Sequence, residues 1–333
     1  MTLIPGLPVL PSSGSQVVLR HGDPEYGDQY GARDVWVWEY DGTYYMHYDA
    51  AGPRGWLAAL ATSRNGTDWV KHGPVLDLGP EGTQDSASAS YGTTYFDGER
   101  WHMFYLGTPN ATSDRVKVPS FPYMTMKAEA SSPRGPWRQR RDIVPFRAEP
   151  GTWYSDTASP GQIVAREGEY VMVFSGATTI GTQIYRTLGL ARSTDLDGPW
   201  SVDPDPLLPV TEQIENSSLY FDDRSGMWYL FTNHVGVAED LPPEPPQGSS
   251  EYTDAVWVYW SGDLTRWNRD HKAVALDAAH TGWSPRVVGL PSVVAFGERL
   301  ALYYDGLATD AIGHGGRDIG VAWLDLPLSI ERP

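Results

Sequence analysis

The chain has 333 residues, with 42 acidic against 25 basic side chains and a formal net charge of -17. That balance argues against nucleic acid or an anionic membrane surface as partner, because both repel an acidic protein, and the absence of Cys rules out disulfides, zinc–thiolate sites and a thiol nucleophile. Aromatics at 12%, with 35 Gly and 27 Pro, exclude a disordered chain and favour short strands joined by many turns.

The chain begins MTLIPGLP, without a basic stretch or a continuous apolar run, so no secretory signal is read and a cytoplasmic location is expected. No apolar run is long enough to span a bilayer. Residues 1–32 read as an extension that runs along the outside of the fold or closes it. From there the chain repeats itself. One half of the unit is a strand, a tight Gly-containing turn and a second strand rich in aromatics. It occurs at 35–48 (VWVWEYDGTYYMHY), 92–105 (GTTYFDGERWHMFY), 162–174 (QIVAREGEYVMVF), 219–231 (LYFDDRSGMWYLF) and 292–304 (SVVAFGERLALYY). Apolar residues at period two flanking such turns are the hairpin pattern.

The other half is a strand of small apolar residues, a polar turn and Trp. It occurs at 58–69, 127–137, 189–200 and 256–267, with a shortened copy at 319–326 (IGVAWLDL). Trp69, Trp137, Trp200 and Trp267 are thereby 68, 63 and 67 positions apart. Such units cannot bury both faces alone and must stack. The expectation is an all-β chain: a single five-bladed β-propeller over 33–330, with four-stranded antiparallel blades around a central channel. The blades fall at about 33–80, 84–145, 155–208, 212–276 and 282–330. A β-sandwich is the alternative with similar strand spacing. Two insertions, 108–123 and the Pro-rich 236–250 (GVAEDLPPEPPQGSS), are too long for simple turns and are expected to be rim loops that shape a pocket.

In a propeller the first strand of each blade lines the channel, so the polar residues that precede each hairpin converge. Arg33-Asp34 precede the first, Gln84-Asp85 the second, Ser155-Asp156 the third and Glu215-Asn216 the fourth, while the fifth offers Trp283 and Arg286 but no acid. Each acid alone reads as a turn cap. Four at matching phase point to carboxylates crowded enough to raise one another's pKa, leaving one protonated while another is ionised. Glycoside hydrolysis needs that division.

With Asp34, Asp156 and Glu215 in the order Asp, Asp, Glu and separated by 122 and 59 positions, the repeat resembles the family 43 glycoside hydrolases, whose superfamily includes families 32, 68 and 117. The resemblance covers about residues 30–325. It implies Asp34 as general base, Glu215 as general acid and Asp156 as the group that tunes and orients the acid. Val35 stands where the family usually has Pro, and Asn216-Ser217 where it often has Gly-Pro. It also implies that His314, in the loop IGHGGR, sits at the channel and helps hold a hydrated calcium; a related family that uses His as acid makes His314 the rival of Glu215.

Asp85 is a candidate for hydrogen bonds to sugar hydroxyls, Trp36, Trp153 and Trp283 for stacking on a sugar face, and Arg286 for contact with a hydroxyl or carboxylate of the substrate. His234 reads as a core histidine or a pocket residue. No cofactor is required on this reading, though a structural Ca2+ in the channel is allowed. The expected activity is exo-acting, inverting hydrolysis of terminal furanose or pentose residues, of arabinofuranosidase or xylosidase type, on an oligosaccharide or glycoside. The alternatives are a fructan-acting or other furanosidase of the same fold, or a non-catalytic carbohydrate-binding propeller.

Overall fold

The computed structural model describes residues 6–244, 246 and 250–330. Within the expected rim loop 236–250, positions 245 and 247–249 lie outside the described residues, as do residues 1–5 of the expected extension. Nearly all regular structure is strand; one four-residue helix, Ala278–Thr281, and two short 3-10 turns accompany it among the described residues.

The strands form successive antiparallel meanders. The first contains Gly31–Tyr40, Thr43–Gly52, Gly55–Ser63 and Trp69–Pro74, and the second Ser88–Phe96, Trp101–Thr108, Met124–Ala130 and Arg138–Gln139. A short parallel contact, Trp56 with Ser88 and Leu57 with Ala89, joins these two into one sheet. The third contains Thr157–Arg166, Glu169–Ile180, Gln183–Ser193 and Ser201–Val202, and the fourth Ile214–Asp222, Met227–Val237, Glu251–Ser261 and Lys272–Asp277. The last takes Ser292–Phe296, Arg299–Gly306 and Asp318–Asp325 from the C-terminal end and its outer strand, Ser12–Leu19, from the N-terminal end. The N-terminal segment is therefore part of a sheet, which completes the shortened final repeat.

Local sequence explains the hairpins. Asp41-Gly42 and Glu167-Gly168 each place both turn residues at positive φ (50° and 67°, 53° and 87°). That is the two-residue primed turn whose twist suits antiparallel strands. The recurring Trp marks the entry to each outer strand. Trp69 and Trp267 donate their indole N–H to the carbonyl three residues back, Gly66 at 3.1 Å and Leu264 at 2.7 Å.

The apolar core is distributed between neighbours rather than centred in one place. Trp38 and Tyr45 pack with Trp101 and Met126 between the first and second meanders. Phe104 and Phe146 meet Phe174 and Trp200 between the second and third, and Val171 and Leu190 meet Leu230 and Tyr259 between the third and fourth. Phe231 and Val258 meet Leu302 and Tyr304, and Val37 and Tyr48 meet Tyr303 and Val321, which returns to the first meander. Each sheet buries both faces against its neighbours in cyclic order, as in a β-propeller.

Candidate active site

The strand nearest the axis loses register with its neighbour at the same place in four meanders. The breaks fall between Arg33 and Trp36, Ala89 and Gly92, Ser159 and Gln162, and Glu215 and Ser218. A bulge bends its strand and re-aims the side chains around it. Two bulge residues, Asp34 (φ 48°) and Asn216 (φ 61°), adopt the left-handed conformation that Asp and Asn tolerate better than most residues.

Opposite the break in the first, third and fourth meanders, and at the matching position of the last, the second strand presents a residue that ties one meander to the next. Asp49 accepts the Tyr91 amide, Ser175 Oγ accepts the Asn216 amide at 2.7 Å, and Asp305 Oδ1 accepts the Asp34 amide at 3.0 Å. Asn233 donates to the carbonyls of Val288 and Gly289 at 2.9 and 2.8 Å. Gly107 holds the equivalent place in the second meander, opposite Ala89.

The bulges open onto a cleft of about 1130 Å³, counting its mouth, whose walls include Arg33, Asp34, Asp49, Tyr91, Arg186, Glu215 and His314. Of the two insertions, 108–123 contributes Val118, Pro119, Phe121 and Tyr123, and 236–250 contributes Glu244. Asp34 Oδ1 accepts from the Arg33 guanidinium at 2.9 Å. Glu215 lies 3.3 Å from Arg186 Nε, and the same guanidinium reaches Glu251 at 2.9 Å. The Glu215 side chain is 31% exposed, but inside the cleft rather than on the outer surface. That enclosure pushes its pKa up, Arg186 opposes the rise, and the Asp34 charge adds to it. Asp49 is also pushed well up, first by burial and then by Asp34, with Arg33 and the Tyr91 amide opposing.

His314 faces the cleft as well. Arg33 can only donate, so His314 Nδ1 accepts from it at 2.5 Å and the ring proton is assigned to Nε2. Burial and the guanidiniums of Arg33, Arg317 and Arg186 hold its pKa well below 6.5. A neutral imidazole N–H is a hydrogen-bond donor and a poor proton donor at neutral pH, which weakens His314 as the rival acid. Three surrounding guanidiniums do not fit a calcium site either. Elsewhere, His102, Glu129 and Asp197 bring donor atoms within 4.8 Å of one another. Arg138, Arg140 and Lys127 already pair with those carboxylates.

Several expected site residues lie elsewhere. Asp156 is not on the cleft wall: its carboxylate accepts from Thr179 Oγ1 at 2.5 Å. Asp156 precedes the strand Thr157–Arg166, three residues before the bulge of the third meander begins after Ser159. Asp85 is fully buried, four residues before its bulge, and binds Arg141 at 2.9 Å and the Tyr105 hydroxyl at 2.8 Å. It is a structural anchor.

None of the three Trp lines the cleft. Trp36 is packed between meanders with its N–H on Thr94 at 3.1 Å. Trp153 and Trp283 lie flat over paired glycines; a Cβ at Gly176 or Gly189 would sit 2.3 or 2.2 Å from Trp153, and one at Gly306 or Gly320 2.7 Å from Trp283. Arg286 pairs with Asp240 at 2.5 Å beside a second hollow, which His234 also lines while bound to Asp254 at 2.7 Å. The aromatic rings that do line the cleft are Trp56, Tyr91, Phe121, Tyr123 and Tyr252. Asp49, Asp305 and Arg186 escaped the sequence reading, although aligning the hairpins on their second strands (HYD, YYD, VFS) would have exposed the first two.

No protein-family model matches the chain, and no curated protein matches it in sequence. Solved structures do match it in shape. A protein solved as an RGII complex superposes with a TM-score of 0.71 at 15% identity, covering 97% of this chain and 95% of that one. A thermostable family-43 glycoside hydrolase gives 0.61 at 17% identity, with 91% and 94% covered. The catalytic domain of a GH62 α-L-arabinofuranosidase from Coprinopsis cinerea gives 0.61 at 13% identity, with 98% and 100% covered. The chain therefore has the β-propeller fold shared by glycoside hydrolases of several families, over almost its whole length.

Proposed function

We propose that this protein is a glycoside hydrolase built on a five-bladed ring, with Glu215 as general acid and Asp34 as general base. The observation that carries this reading is the pairing of a carboxyl pushed up by enclosure with a carboxylate held by a guanidinium, both lining one cleft. Glu215 protonates the departing oxygen while Asp34 takes a proton from the attacking water. Inversion fits this division of labour. Rim-loop residues on the cleft walls favour a chain end over a chain interior, hence exo action on a terminal furanose or pentose. The fold neighbours include an α-L-arabinofuranosidase and an RGII complex, which supports a glycan as substrate.

The test is hydrolysis of nitrophenyl arabinofuranoside, xyloside and galactofuranoside and of fructan, with the product anomer followed by NMR. Glu215→Gln and Asp34→Asn are expected to lower kcat on the order of 10²–10⁴-fold on the substrate that is cleaved, each remaining folded. Full activity in either variant refutes its assigned role.

A further inference from the structure

Asp34 faces a second carboxyl that the acid–base pair leaves unused. Asp49 is 1% exposed, on the strand Thr43–Gly52, directly across from Arg33. Its carboxyl lines the cleft together with that of Asp34, the neighbour of Arg33 in sequence, and its Oδ1 accepts the Tyr91 amide; the Asp34 charge adds to burial in pushing its pKa up. Two enclosed carboxyls that act on each other in this way are not both ionised. The guanidinium of Arg33 settles which keeps the charge, because it binds Asp34 at 2.9 Å. The other ionisable groups facing them are Asp305, which accepts the Asp34 amide and pairs with Arg317, Glu215 and Tyr123 across the cleft, His314 beside Arg33, and Tyr91, whose phenol is held protonated by burial and by Asp34, Asp49 and Glu215.

We propose that Asp49 is a protonated positioning residue for Asp34, its hydroxyl donating to the Asp34 carboxylate while its carbonyl oxygen accepts the Tyr91 amide. The role rests on Asp34 being the base. A tie between meanders needs only an acceptor for the Tyr91 amide, which Ser175 supplies for Asn216 with a hydroxyl. The second hydrogen bond, toward Asp34, is what fixes the orientation of the base.

Two measurements decide it. In an infrared difference spectrum of wild type against Asp49→Asn at neutral pH, the wild type is expected to show a protonated-carboxyl band that the variant lacks; loss of carboxylate bands alone overturns the proposal. On whichever nitrophenyl glycoside the wild type cleaves, Asp49→Asn, whose amide still donates to Asp34, should keep kcat within about threefold, while Asp49→Ala loses on the order of 10²-fold with KM little changed. Equal losses in the two variants, or none in either, contradict it. A wild type that cleaves no glycoside sinks the hydrolase reading, while the infrared result still decides the protonation of Asp49.

Discussion

Asp49 and Asp305 occupy the same position of the repeat, in two meanders that meet where the ring closes, and each accepts an amide from the next inner strand. Their surroundings differ. Asp305 is fully buried against the guanidinium of Arg317 at 2.8 Å, and Arg317 in turn grips the carbonyls of Gly313 and Ile312 beside His314. Asp49 has a carboxyl as its partner instead. One copy of the repeat position thus holds a loop through an ion pair, while the other is left to carry a proton beside Asp34. A position inherited by repetition is differentiated by the charge of whatever the neighbouring loop places beside it.

The sharpest way to break this contrast is the same substitution at both sites. Asp305→Asn keeps the amide acceptor but strands a buried guanidinium, and is expected to cost about 3–5 kcal/mol in denaturant unfolding. Asp49→Asn removes no charge partner and should cost less than about 1 kcal/mol. Similar losses at the two positions would mean that Asp49 is ionised like a salt-bridged carboxylate.

A second effect comes from His47, two residues before Asp49 on the same strand. It is fully buried between Trp38 and Trp137, and burial pushes its pKa down to about 3. The unfolded chain binds this proton near pH 6.5 and the folded chain resists it until about pH 3. Its contribution is therefore fully present above pH 6.5 and declines by about 1.4 kcal/mol per pH unit below it. His47→Leu should flatten the fall in stability measured by urea unfolding between pH 6.5 and 4; an unchanged slope would show that the imidazole is not shielded. The smallest effect is expected at Asp156→Asn, with kcat/KM within about twofold and stability within about 0.5 kcal/mol of wild type. A hundredfold loss of turnover would return Asp156 to the reacting centre.

The place of Asp34 and Glu215 on the cleft was legible because the hairpin repeat locates the bulges, with Asp34 inside one and Glu215 beside another. Asp156 misled because it lies just before its strand begins, short of the bulge that carries side chains into the cleft. The Trp residues misled for another reason: Trp153 and Trp283 look like sugar platforms until the glycines beneath them, far along the chain, are seen to make room for their rings.

The amino-acid sequence by itself determined the strands, the primed turns and the stacking of repeats, since alternation and Gly-containing turns act over a few residues. Tertiary structure alone decided that the N-terminal strand completes the last meander, that Asp49 meets Asp34, and that Arg186 and Arg317 stand among the acids. Those outcomes depend on residues brought together across the ring, where burial and a neighbour's charge, rather than position in the repeat, set what each carboxyl does.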